Sequence, residues 1–289
     1  MAVKALACEL PSRLGLPLGR LHVPDIRAEV VRRGLVASIS DTTVWRWLSS
    51  DAIRPWAHRS WIFPRDPAFE AKAARVLDLY AGVWQGEPLR DDEHVLSADE
   101  KTSIQARVRC HPTLPPGPGR AMRVEHEYDR GGALAYLAAL DVHRGRLFGR
   151  CEPTTGIGPF DRLVDQVMGE EPYRSARRVF WVLDNGSSHR GQASIERLTA
   201  AHPTLVPVHL PIHASWLNQV EIYFSVLQRK VLTPNDSVSL AELETRILAF
   251  QADYEHLAKP FEWRFTRADL ARLLQRLAAR DASSLPAAA

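Results

Sequence analysis

The sequence predicts a mixed sheet covered by helices, of the α/β or α+β class, preceded by a small all-helical domain. Three observations predict it. Residues 1–51 carry short helical patterns and no strand signal. Residues 92–152 turn to short apolar or alternating runs separated by turns. Residues 159–280 then alternate helix and strand.

Length and composition set the bounds. A chain of 289 residues has room for one large domain or two smaller ones, and 45% hydrophobic with 25% charged residues is ordinary for a globular protein. The net charge is +3, and residues 1–70 alone hold ten Lys/Arg against seven Asp/Glu. A basic leading segment suggests an anionic partner met first by the N-terminus, although a solvated surface gives the same count. Cys8, Cys110 and Cys151 are odd in number and form no C-x-x-C pair. That argues against a disulfide framework or a cysteine zinc site and for a reducing cytosol. No run approaches the ~18 apolar residues of a membrane span, and the N-terminus lacks a secretory pattern.

Within residues 1–51, Pro24 opens the helical pattern PDIRAEVVRRG, which stops at Gly34. Ile26, Val30 and Val31 give it an apolar face. Ser40 or Asp41 caps DTTVWRWLSS, where Val44, Trp47 and Leu48 recur at helical spacing and Thr42, Thr43 and Arg46 point outward. Two helices with Thr and Arg near the start of the second make a helix-turn-helix, whose second helix enters the major groove. A three-helix domain that touches no DNA would read the same way.

Residues 52–91 form a linker and a bridging helix. AIRPWAHRSWIFPRDP has three prolines, two tryptophans and no acid before Asp66. The prolines forbid a regular helix. Arg54, His58, Arg59 and Arg65, interleaved with aromatic rings, suit a nucleic-acid backbone. Tryptophans packed on a neighbouring domain would leave the same composition. Pro67 then opens a helix with Phe69, Ala73, Val76 and Tyr80 on one face.

From residue 92, HVLSAD reads as a strand ending at Asp99 and KTSIQARVRC as a second. AMRVEHEYD, ALAYLAALDVHRG and RLFGRCEP follow as strands, and 111–120 is a proline-rich loop. Residues 101–124 hold five Lys/Arg and no acid, so Lys101, Arg107 and Arg109 are candidate phosphate contacts. A helix at about 159–169 precedes RVFWVLD, a strand apolar on both faces that ends at Asp184. A helix at 191–201, a strand at 205–211 and a helix at 216–232 follow. In the last, Leu217, Val220, Phe224, Leu227 and Val231 make the buried stripe, with Asn218 and Glu221 on its polar margin. Ser239 and Glu242 form a capping box, and a helix at about 266–280 leads into the tail that completes 266–289.

The chemistry lies in three acids. Asp99 and Asp184 end strands, and Glu221 lies on the helix after the next strand. Ligand sites form at strand ends of open sheets. Three carboxylates there repel one another, a divalent cation removes the conflict, and oxygen-only ligands favour Mg²⁺ or Mn²⁺ over zinc. Two such ions about 3.5–4 Å apart activate an attacking oxygen and stabilise the leaving oxygen of a phosphodiester. Three separately solvated acids are the plain alternative. Asn185 and His189 orient a metal-bound water, touch DNA, or shape the loop. Asn218 faces the cleft, and Trp216 packs. His209 and His213 lack the partners zinc needs.

DEKTSIQA at 99–106, LDNGSSH at 183–189 and SWLNQVEIYFSVLQRK at 215–230 resemble the three catalytic blocks of DDE transposases, most nearly the bacterial insertion-sequence branch of the mariner-like superfamily. PWAHRSWIFPRDP and the helix after it resemble that branch too, so the likeness covers about residues 1–265. It implies a ribonuclease H-like catalytic domain over 92–265 and Mg²⁺ dependence, with Mn²⁺ as a substitute. It implies double-stranded DNA as partner at terminal inverted repeats and target, cut-and-paste strand transfer, a homodimer in the synaptic complex, and a bacterial cytoplasmic, nucleoid-associated location. Carried over motif by motif, Asp99, Asp184 and Glu221 are the metal-binding catalytic triad. Two departures stand out. Relatives usually carry two helix-turn-helix units where one fits here, as in an N-terminally shortened copy. The 36 residues between Asp184 and Glu221 also make a slightly long interval. The rival expectation is a non-mobile DNA-binding protein or repressor derived from a transposase. A structure-specific nuclease on the same fold is disfavoured by the helix-turn-helix.

Overall fold

The computed structural model describes residues 1–58, 64–257 and 259–284. The candidate contact Arg59 lies outside the described residues. The chain divides into two compact units, Met1–Phe63 and Pro64–Ala289.

The first unit is helical: α1 (Ala2–Ala7), a 3-10 turn at Pro11–Leu14, α2 (Val23–Arg32) and α3 (Asp41–Ser50). At the start of α2 the His22 N–H donates to Asp25 Oδ2 at 2.8 Å, and the chain leaves the helix through Gly34 at φ +66°. Ser40 caps α3 by accepting from the Thr43 N–H at 3.2 Å. Leu6, Leu21, Ile26, Val30, Val44 and Leu48 form the core. Val31 and Trp47 were expected to face inward and are instead 39% and 40% exposed. A three-helix core this small encloses only the narrow stripe made by Val44 and Leu48, and Trp47 sits about 60° off its edge at 3.6 residues per turn. Thr42 and Arg46 are exposed as expected, and Trp45, on the same face, is 54% exposed. Thr43 is half-buried, its hydroxyl 2.9 Å from Ser40 Oγ.

In the second unit α4 (Phe69–Tyr80) leads into a short hairpin, β1 (Val83–Trp84) with β2 (Glu87–Pro88). The main sheet comprises β3 (Glu93–Val108), β4 (Asp129–Asp141), β5 (Leu147–Glu152), β6 (Arg178–Leu183) and β7 (Leu205–His209). Its order is β5-β4-β3-β6-β7. The first three strands are antiparallel, and β6 and β7 run parallel to β3. This is a mixed sheet of ribonuclease H-like order. One face is covered by α5 (Ile157–Met168) and α6 (Gln192–Ala201), through Phe160, Leu163, Val167 and Leu198 against Leu96, Ala98, Trp181 and Leu183. The other is covered by α4, α7 (Val220–Lys230), α8 (Leu240–Leu257) and α9 (Arg267–Ser284), through Val76, Leu217, Val220, Phe224, Leu243 and Leu270. Among the described residues no helix is long and apolar enough to cross a membrane.

Three elements differ from the sequence expectation. The two short strands around Asp99 are one 16-residue strand, β3. Asp99 therefore lies inside a strand, because β4 supplies partners on both sides of it and the ladder is interrupted only beyond it, between Lys101 and Ile104, where Ser103 takes φ +56°, and again between Gln105 and Arg107. AMRVEHEYD makes no regular strand. Residues 114–123 are closed by the bridges Leu114↔Arg123 and Gly117↔Arg120, and Pro115, Pro116 and Pro118 have no N–H to give to a ladder. The helix expected from residue 216 is split. A 3-10 turn at Ser215–Leu217 ends at Asn218, whose extended backbone (ψ 111°) breaks the path before α7 begins.

Candidate active site

Register places the two aspartates. In the parallel pair β3–β6, Ser97 lies opposite Val182. Two residues further on stand Asp99, still within β3, and Asp184, one residue past the end of β6. Side chains alternate between faces, so Val95, Ser97 and Asp99 point toward the α7 side, as do Phe180 and Val182. Continuing that alternation turns Asp184 the same way.

A buried network fastens α7 to β3. The Val220 N–H donates to Ser97 Oγ at 2.9 Å, and the Ser97 hydroxyl donates to Asn218 Oδ1. The Asn218 amide donates to the Ala98 carbonyl at 3.0 Å and to Asp99 Oδ2 at 3.1 Å. The other Asp99 oxygen accepts from the Glu100 N–H at 2.8 Å. Asn218 was expected to face the cleft; it is 1% exposed because its amide is spent on β3. Glu221, three residues on, stands half-buried in the first turn of α7.

Asp184 is held by its own loop. Its Oδ1 accepts from the Gly186 N–H at 2.7 Å and lies 2.5 Å from His189 Nε2. His189 is wholly buried against the Phe160 ring, 4.8 Å between centroids. Its carbonyl accepts from His209 Nε2 at 2.7 Å. Asn185 donates to the Leu210 carbonyl at 2.9 Å, so it shapes the loop. A Cβ on Gly186 would lie 2.9 Å from Asp184 Oδ1 and 3.0 Å from His189 Cε1, which leaves room for glycine alone. A cavity of about 700 Å³ opens beside this loop, lined among others by Asp184, Arg190, Ile212, His213 and Ser215.

The three acids feel one another. Burial, then the charge of Asp184, pushes Asp99 up to about 7. The hydrogen bond from His189 holds Asp184 below the usual carboxylate range. Burial raises Glu221, Lys101 opposes that rise, and Asp184 adds to it. Asp99 is thus the member that keeps a proton toward neutral pH, while Asp184 stays ionised.

The donor set suits a hard divalent cation. All three groups are carboxylates, their mutual repulsion is what a cation relieves, and Asp184 Oδ2 has no hydrogen-bond donor among the described residues. No three His, Cys, Asp or Glu side chains among the described residues close into a ready metal cage. Mg²⁺ needs none, since it uses one or two carboxylates and completes its shell with water and substrate oxygens.

The remaining candidates are scattered. Arg54 and His58 in the first unit, and Arg65 in the second, are exposed. Lys101 and Arg107 line a smaller cavity of about 280 Å³ with Gln228 and Asn235. Arg109 is occupied: it donates to the carbonyls of Glu125 and Asn235 and lies over the Tyr128 ring, with Arg107 also over that ring. Sequence reasoning missed Ser97, Glu100, Gly186 and Ser188. The available signal was period two along β3, which puts Ser97 on the face of Asp99 and Glu100 on the opposite one.

Residues 94–244, just over half of the chain, match the family model of the DDE superfamily endonuclease. The chain belongs to this family. The matched segment contains Asp99, Asp184 and Glu221. Backbone comparison finds similarity to solved structures of the Mos1 mariner transposase. The Mos1 mariner paired-end complex with Mn gives a TM-score of 0.49 at 13% identity, covering 92% of this chain and 80% of that chain. The pre-cleavage Mos1 transpososome gives 0.47 at 12%, with 92% and 80% covered. The Mos1 strand transfer complex gives 0.46 at 13%, with 92% and 79% covered. Among curated proteins, none matches by sequence.

Proposed function

We propose that this DDE endonuclease-family protein is a DNA transposase of the mariner-like kind. It binds the terminal inverted repeats of its element and catalyses DNA cleavage and strand transfer with Mg²⁺, for which Mn²⁺ can substitute. The observation that carries the reading is the pair Asp99, inside β3, and Asp184, just past the end of the adjacent parallel β6, both on one face of a DDE-family domain and with opposed proton affinities. Glu221 is led toward that face by the Ser97–Asn218 network.

On this reading Asp99, Asp184 and Glu221 hold the cation. When bound, it would lower the proton affinity of an attacking water or hydroxyl and offset charge on the leaving oxygen. The chain's own part is positional: Asn218 fixes Asp99, and His189 fixes Asp184. Thr42 and Arg46, on the exposed face of α3, read base edges in the major groove. Arg54, His58, Arg65, Lys101 and Arg107 meet phosphates. The protein works as a homodimer that brings two element ends together, on chromosomal DNA in the cytoplasm.

Asp184→Asn tests the assignment. Removing a metal-holding charge should lower Mg²⁺-dependent nicking of inverted-repeat DNA by about a thousandfold or more while DNA binding stays near native. Undiminished nicking would sink the metal site. Binding without nicking by the native chain would favour a non-mobile repressor. Arg46→Ala should cut the preference for cognate over random duplex about tenfold in a competition assay. An equal loss on both duplexes would make Arg46 a backbone contact instead.

A further inference from the structure

Asp99 and Glu100 are neighbours, yet the alternation of β3 sends them to opposite faces of the sheet. Asp99 sits with Asn218 on the α7 side. Glu100 lies on the side of Ala98, which packs under α5 and α6. There Glu100 Oε1 accepts from the Ser188 hydroxyl at 2.9 Å. Ser188 Oγ is 3.0 Å from His189 Nδ1, and His189 Nε2 is 2.5 Å from Asp184 Oδ1. This row of hydrogen bonds passes round the end of β6 and joins the two faces.

Every link is held in place. Ser188 is 4% and His189 0% exposed. The Ser188 carbonyl accepts from Arg197 at 2.8 Å, the His189 carbonyl accepts from His209, and the imidazole lies against Phe160. The ring cannot turn without losing contacts at both nitrogens. One Asp184 oxygen is therefore fully engaged, and the other is left for the cleft.

We propose that Glu100 is a positioning residue for the metal site: through Ser188 and His189 it orients the Asp184 carboxylate so that Oδ2 faces the cleft. The inference rests on the reading of Asp184 as a metal ligand. Ordering a free carboxylate on binding costs conformational entropy, and this carboxylate is ordered beforehand. Hydrogen-bond partners of a ligating group typically change metal affinity about 10–100-fold when removed. Glu100 itself, on the far face, holds no cation.

The test is Mn²⁺ affinity of the full chain by titration calorimetry, read beside thermal unfolding without metal. Glu100→Ala and Ser188→Ala should each weaken Mn²⁺ binding about tenfold. The double variant should bind no more weakly than either single one, because both cut the same row of bonds. Glu100→Gln keeps an acceptor and Ser188→Thr keeps a hydroxyl, and both should bind near native. Native-like affinity in Glu100→Ala and Ser188→Ala, with loss in Asp184→Asn, overturns the proposal alone. Loss in Glu100→Ala with Ser188→Ala unaffected also overturns it, since Glu100 would then be a ligand. Equal affinity in native and Asp184→Asn overturns the metal reading and the proposal with it. Should Glu100→Ala fail to fold, Ser188→Ala against Ser188→Thr carries the same comparison.

Discussion

Asp99 and Asp184 stand on the same side of two adjacent strands and are held by opposite means. Asp99 is anchored from far away in sequence, by Asn218 across 119 positions, inside a strand paired on both sides. Asp184 is anchored by its own loop, through Gly186 and His189 two and five positions on. Asp99 receives only neutral donors in a buried place, and its proton affinity rises. Asp184 receives a histidine and is one-third exposed, and its affinity falls. Hydrogen bonds alone do not set a carboxylate's charge; the sign follows from whether the donors outweigh the lost water.

The contrast can be broken from either side. The largest effect should come from the long-range anchor. Asn218→Ala strands Asp99 Oδ2, the Ala98 carbonyl and the Ser97 hydroxyl in a buried place, and should cost about 3 kcal/mol in urea unfolding. A loss below about 1 kcal/mol would mean that α7 is docked by its apolar stripe alone. Next is the local anchor. Gly186→Ala forces a methyl against Asp184 and His189, and should cost about 2 kcal/mol together with most of the cleavage activity. Full cleavage in that variant would show that Asp184 tolerates displacement.

The smallest effect sharpens the electrostatic difference. A carboxylate whose proton affinity is raised on folding adds stability that is complete below about pH 3.8 and lost by about pH 7. The rise is worth about 4 kcal/mol. Asp99→Asn removes it, less one hydrogen bond that an amide nitrogen cannot accept. Without metal, the variant should be about 1–2 kcal/mol more stable than native at pH 8 and about 2–3 kcal/mol less stable near pH 4, where native Asp99 is protonated and only the lost hydrogen bond counts. A pH-independent difference between the two proteins would refute the buried charge at Asp99.

Much of this was legible in residues 92–265. The buried strand before Asp184, the stripe on α7 and the Ser239–Glu242 cap are local patterns, and each formed: Glu242 N–H donates to Ser239 Oγ at 3.1 Å, and Glu242 reaches back to the Val238 N–H. The length of β3 was not legible, because β4, which pairs along it, comes later in the chain. The place of Asn218 was misread for a related reason. Helical spacing put it beside Glu221, whereas its amide found unpaired acceptors on β3 and broke the helix.

By itself the sequence determined the buried strand that runs up to Asp184, the apolar stripe of α7, and the exposed stripe of Thr42 and Arg46, since all three rest on spacing within a few residues. The tertiary structure alone decided that Asp99 and Asp184 share a level, that Glu100 falls on the far face, and that one aspartate keeps its proton while the other gives it up. Those outcomes depend on strand register and on burial by distant segments, and both exist only once β3, β6 and α7 have come together.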